Sequence, residues 1–142
     1  MNHHPHPTWQ PITQLPLIAS LIDGMLESAE EQYQTLQSAR PRPHVLDDYT
    51  VGRVIAVFTT QQDDLWLFEE QLRRWAAQEL TDGQRREVGR LTSQLGQLRQ
   101  VIAAILALAD ELKSGTIEQV LAKSDAQLGL EALLRRPPEQ DR

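Results

Sequence analysis

The chain contains no cysteine, so disulfides, thiolate metal sites and a cysteine nucleophile are all excluded. Aromatic residues make up only 5% of its 142 residues, and β-branched runs are scarce, which removes the usual material of strands. No glycine-rich phosphate loop, serine nucleophile elbow or zinc signature occurs. Positive charge is also short: the formal net charge is -6 and the pI about 5.1, which argues against a general affinity for nucleic acid or for an anionic membrane. No apolar run approaches the roughly 20 residues that span a bilayer. The amino-terminal stretch MNHHPHPTWQP lacks the basic and apolar regions of a secretory signal, so a cytoplasmic location is the expectation.

What remains is dominated by Leu, Ala, Gln, Glu and Arg, a balance that favours helix. Hydrophobic residues at 40% and charged residues at 24% suit one globular domain with a single core. The most regular stretch is Glu87 to Lys113. Its seam, Val88, Leu91, Leu95, Leu98, Ile102, Ile105, Ala109 and Leu112, keeps the 3,4 spacing of an amphipathic helix about 40 Å long. From Val101 to Ala109 the sequence reads VIAAILALA and no face is polar, so this part is expected to be covered on every side. Gly89, Gly96 and Ala103 recur every seven residues, a small-residue stripe that would let a neighbouring helix approach closely.

Two more long helices precede it. The first is predicted from Pro16 to Ala39, with the seam Ile18, Ile22, Met25, Ala29, Leu36 and Ala39, widened early by Leu21 and Leu26. Its outer face carries Asp23, Glu27, Glu30 and Glu31 and reads as a solvated acidic surface. Arg40-Pro41-Arg42-Pro43-His44 stops it. Asp47 or Asp48 then caps a second helix, predicted to reach Leu80, on the seam Val51, Val54, Phe58, Leu65, Phe68, Leu72 and Trp75. Gln61 falls where that seam calls for an apolar residue, and reads as a polar core layer that sets register. Leu65-Trp66-Leu67-Phe68 is a full apolar turn that again calls for cover all round.

Thr81 and Gln84 have the spacing of a capping box, so the link into the third helix is short and the second and third helices are expected to be antiparallel neighbours. Counted from this turn, Trp66 and Leu67 lie level with the start of VIAAILALA. Gly115 is placed to supply a left-handed C-terminal cap after Lys113. Thr116 with Gln119 and Ser124 with Gln127 repeat the capping pattern, which predicts two short C-terminal helices folded over the upper half of the third. The expected architecture is therefore all-α: an antiparallel, up-down bundle of three long helices plus two short C-terminal ones. Residues 1–13 are expected to form a flexible His- and Pro-rich arm, residues 14–136 a single domain, and residues 137–142 a frayed tail.

Candidate chemistry is thin. His3, His4 and His6, with the amino terminus, form an imidazole cluster able to chelate Cu(II) or Ni(II), though a disordered tail is the simpler reading and no metal site is expected. His44, Asp47 and Asp48 could be combined into a metal or acid-base set, but capping already explains the aspartates. Carboxylate di-iron chemistry needs histidine on the helices, and none of the predicted helices carries one. The acidic pairs of helical nucleotide pyrophosphohydrolases are not reproduced, since Glu69-Glu70 is followed by Arg73 and Arg74. No cofactor is expected. Arg73, Arg74, Arg85, Arg86 and Arg90 cluster near the second turn and could meet an anion or nucleic acid. Ion pairing with Glu79, Asp82 and Glu87 is the simpler expectation, because aromatic interleaving is missing.

The functional expectation is a non-enzymatic interaction or assembly module that self-associates as a homodimer and meets a further protein partner. Its interface would be an apolar belt of Trp66, Leu67, Ala103, Ala104 and Ala107. The alternative is a ligand-binding or catalytic bundle with a pocket near Gln61 and Gln62, anchored by Asp63, Asp64 or Arg99.

Overall fold

A computed structural model describes residues 7–134, among which every regular element is helical and none is a strand. The elements are α1 (Leu15–Ala39), α2 (Asp48–Ala76), α3 (Asp82–Lys113) and α4 (Ile117–Leu134), with 3-10 turns at Ile12–Gln14 and Pro43–Val45. The copper-site candidates His3, His4 and His6 and the tail 137–142 lie outside the described residues. No helix among the described residues is long and apolar enough to cross a membrane.

Each helix start has a local cause. Pro16 occupies the first turn of α1, where its missing N–H costs nothing. At α2 the cap is Asp47, whose Oδ1 accepts from the Thr50 N–H at 2.7 Å. The capping box forms at α3, where Thr81 and Gln84 each accept from the other's backbone N–H, at 3.1 and 3.0 Å. Helix α2 ends at Ala76, short of the expected Leu80. The cause lies downstream: Thr81 must be extended to cap α3, and the Gln78 N–H closes a tight turn on Trp75 O.

Helix α3 is the centre of the molecule. All eight residues of its seam are buried, and α1 and α2 both pack along it. Against each other α1 and α2 make almost no close backbone approach. Two ion pairs tie α1 to α3 in order along both helices, Asp23 with Arg90 and Arg40 with Glu111, while Glu69 of α2 meets Arg99 of α3.

Four expectations need correction. VIAAILALA is not enclosed: Ala103 and Ala107 are exposed, and Val101, Ala104 and Leu106 are half-buried, because α1 and α2 cover one side of α3 only. Alanine tolerates this since a methyl group presents little apolar area to water. The second correction concerns Gly115. No described residue has a positive φ, so it is not a left-handed cap. It is needed for room, since a Cβ there would lie 2.6 and 2.8 Å from the Pro43 ring. Third, the two short C-terminal helices are one continuous helix; no proline or glycine interrupts Lys123-Ser124-Asp125, and a capping pattern inside a run of helix formers does not break it. Fourth, α4 does not cover α3. Its described residues are exposed almost without exception, and it approaches chiefly the Pro43–Val45 turn, Leu46 and the start of α2.

Candidate functional site

Three regions hold polar or apolar side chains that the core does not absorb. At the lower end the segment before α1 crosses α2. The Gln10 N–H donates to Gln71 Oε1 at 2.6 Å, Gln71 Nε2 donates back to Gln10 O at 3.3 Å, and Trp75 Nε1 donates to the same carbonyl at 2.8 Å. Gln71 is thereby satisfied although nearly fully buried. Trp9 lies edge-on to Trp66, with ring centroids 6.4 Å apart, and the Arg74 guanidinium sits 4.5 Å above its ring. Gln71 and Gln10 carry no local signal in the sequence, because their partnership spans some sixty residues.

This clamp decides the fate of the arginine cluster. Arg74 is spent on Trp9 and on Glu70, and Arg73 is paired with Glu70, whose carboxyl it holds below the usual range. Arg90 grips Asp23 with two bonds, at 3.0 and 2.9 Å, and also donates to Glu87 at 2.6 Å. Arg85 and Arg86 are exposed. Of the five arginines, three are thus engaged in neutralising the chain's own carboxylates.

The Asp23 pair has a pH consequence. Hydrogen bonding from the Arg90 guanidinium, with a smaller opposing effect of burial, holds the Asp23 carboxyl below its ordinary value of 3.8. A carboxylate with a lowered folded-state pKa contributes stability that is fully present above the ordinary value and lost as the pH falls through the folded one. Asp47 behaves likewise through Thr50. Both groups are only partly buried, so each effect is small. Melting temperatures of the native chain and of Asp23→Asn should run parallel down to about pH 4 and converge below it; convergence between neutral pH and about pH 5 would show that another group controls the slope.

The second region joins α3 to α4. Thr116, fully buried, donates to Asp48 Oδ1 at 2.6 Å. The Asp48 N–H donates to Glu118 at 2.8 Å, and the Ile117 N–H to Leu46 O at 2.8 Å. Asp48 therefore anchors the root of α4, while Asp47 caps α2 and His44 is exposed. Among the described residues no group of three metal-ligating side chains occurs.

The third region is a trough between α1 and α2, lined by residues of both and, at its lower end, by Pro7 to Gln10. It has three widenings of about 280, 280 and 260 Å³. Val57 lines the first two and Phe68 the last two, so they run together. Gln61 lines the middle one beside Asp64, and its Oε1 is buried without a hydrogen-bond partner among the described residues. Gln62 is half-buried and Asp63 exposed, and neither lines the trough.

The structure divides the belt: Leu67 lines the lower widening of the trough, whereas Trp66 and Ala103 fall on another face. The Glu69–Arg99 pair sets one flank of α2 against one flank of α3. Trp66 is one turn from Glu69 and Ala103 one turn from Arg99, so the two share that outer side. Trp66 is 50% exposed and Leu67 half-buried. Gly89 and Gly96 face open space, so among the described residues no helix packs on the small-residue stripe there. Comparison of the chain with protein-family models, with curated proteins and with solved structures finds no match.

Proposed function

We propose that the protein is a non-enzymatic self-association module: an up–down–up bundle of α1, α2 and α3 that carries an apolar helix outward for pairing with another copy. The observation that carries this reading is α4. Ile117, Val120, Leu121, Leu128, Leu130, Leu133 and Leu134 are between 36% and 76% exposed on one helix of 18 residues. Burying a Leu or Ile fully is worth about 1.5–3 kcal/mol, and much of this the helix forgoes while it stands alone. A helix of this length is also marginal in water without packing. The half-exposed Trp66 beside Ala103 and Ala107 offers a smaller second contact on the opposite flank, suited to a further protein partner.

The test is oligomeric mass by light scattering across a wide concentration range. The full chain should be dimeric, and the chain carrying Leu128→Gln, Leu130→Gln and Leu133→Gln together should be monomeric with its bundle still folded. A monomeric mass for the unaltered chain at every concentration would falsify the reading.

A ligand-binding bundle is the second reading, supported by the unpartnered Gln61 Oε1 in the middle widening of the trough. At about 280 Å³ that widening is at the small end of ligand pockets. A bound metabolite would raise the melting temperature in a small-molecule screen, whereas a self-association module responds to its own concentration instead.

A further inference from the structure

Among the described residues, the same chain holds an apolar helix with no element beneath it and a trough that no element fills. We propose that α4 of one copy lies in the α1–α2 trough of a second copy, and reciprocally; this rests on the self-association reading and specifies its seat.

The dimensions agree. Along α1 the trough is marked by Ile18, Met25 and Gln32 at seven-residue spacing, which spans about 21 Å, and α4 is about 27 Å long. The chemistry agrees as well: opposite these stand Val57 and Phe68, and five of the seven large apolar side chains exposed on α4 are leucine. Gln61 Oε1, buried midway along the trough, has no donor among the described residues, and a turn of the Gln61 side chain toward the trough would offer it to the exposed amide of Gln127, beside Leu128. Over the roughly 21 Å that the trough spans, two exchanged helices about 10 Å wide and the two troughs that receive them present about 840 Å² of footprint, under the about 1,000 Å² of a stable interface, so the pairing is a weak, concentration-dependent one.

A chain cannot satisfy itself in this way. Only Ser114 to Thr116 separate α3 from α4, Gly115 is pressed against Pro43, and Thr116, Ile117 and Glu118 are all bonded to Leu46 or Asp48. That root fixes the direction in which α4 leaves, and no residue of α4 lines any of the three widenings. Reciprocal exchange between two copies buries both surfaces through one isologous contact and closes the assembly at two.

The absence of native cysteine makes the seat directly readable by engineered disulfides. Full-length chains carrying Met25→Cys in the trough are mixed with chains carrying Leu121→Cys, Leu128→Cys or Leu130→Cys in α4, oxidised mildly, and read on non-reducing gels and by mass spectrometry. Ala107→Cys, on the outer face of α3, serves as the comparison. Because a disulfide forms only where Cα atoms come within about 7 Å, at least one α4 position should link to Met25→Cys about tenfold more than to Ala107→Cys. Three results overturn the seat while leaving self-association standing: links between two α4 helices only, links to Ala107→Cys in preference, or a dimer with no link to the trough. A monomeric chain carrying both Met25→Cys and Leu128→Cys that closes on itself overturns the exchange, and a monomeric mass throughout overturns the self-association reading with it.

Discussion

Trp75→Ala should lower the unfolding free energy by about 3–5 kcal/mol, the range for removing a large aromatic side chain from a packed core. Trp75 has no exposed surface and is the largest of the fully buried side chains. It also holds the segment before α1 in place, since its Nε1 donates to Gln10 O while Gln71 grips the same residue from its other side. Truncation therefore opens a cavity against α3 and loosens the strap that carries Trp9 across α2. Trp75→Phe separates the two contributions, because it keeps most of the ring and deletes only the donor; the cost should fall to about 1–2 kcal/mol. Urea unfolding of the three proteins measures both. Against a total stability of about 5–15 kcal/mol, the alanine variant should melt at a visibly lower temperature. A loss below about 1 kcal/mol would show that the site collapses freely, against the close packing of a core.

Gly115→Ala should be the most damaging change of a single methyl group in the chain. Its Cβ would lie 2.6 Å from Cγ and 2.8 Å from Cβ of Pro43, and a proline ring cannot swing aside as a flexible side chain would. Overpacking of this kind costs about 1–3 kcal/mol. The strain falls next to Thr116, so the Thr116–Asp48 bond and the departure angle of α4 should change with it, and dimer formation should weaken in step with stability. Pro43→Gly removes both clashing atoms, and a double-mutant cycle should show a favourable coupling for the pair. Additive losses would mean that the alanine acts on the backbone of the α3–α4 link and not through Pro43.

The difference between what periodicity reveals and what it hides is visible in particular residues. Every position of the Val88-to-Leu112 seam is buried, as are Ile22, Ala29, Leu36 and Ala39 on α1, because an amphipathic stripe has one way to avoid water. The Thr81–Gln84 box was equally legible, since its atoms are local. Leu21 shows the limit: it widens the stripe of α1 in the sequence, yet it is 47% exposed, because a stripe tells which face is apolar and not how much of it a neighbour covers. Gln71 and Gln10 were invisible for the opposite reason, since each is unremarkable until the fold brings them together. The trough was hidden in the same way. Ile18, Met25 and Phe68 all fit the apolar seams of their helices, and only the separation of α1 from α2 turns their edges into a lining.

That separation also sets the order in which the molecule comes apart. With α1 and α2 each resting on α3 and scarcely on one another, either outer helix can detach while the other pair keeps its contacts, but α3 cannot leave without dissolving both. Backbone amides of α3 should therefore exchange with deuterated water only through complete unfolding, those of α1 and α2 through cheaper partial openings, and those of a bare α4 almost as fast as in a free peptide. Binding by another copy would slow α4 and the inner flanks of α1 and α2 together, drawing the two outer helices into one cooperative unit that the single chain lacks.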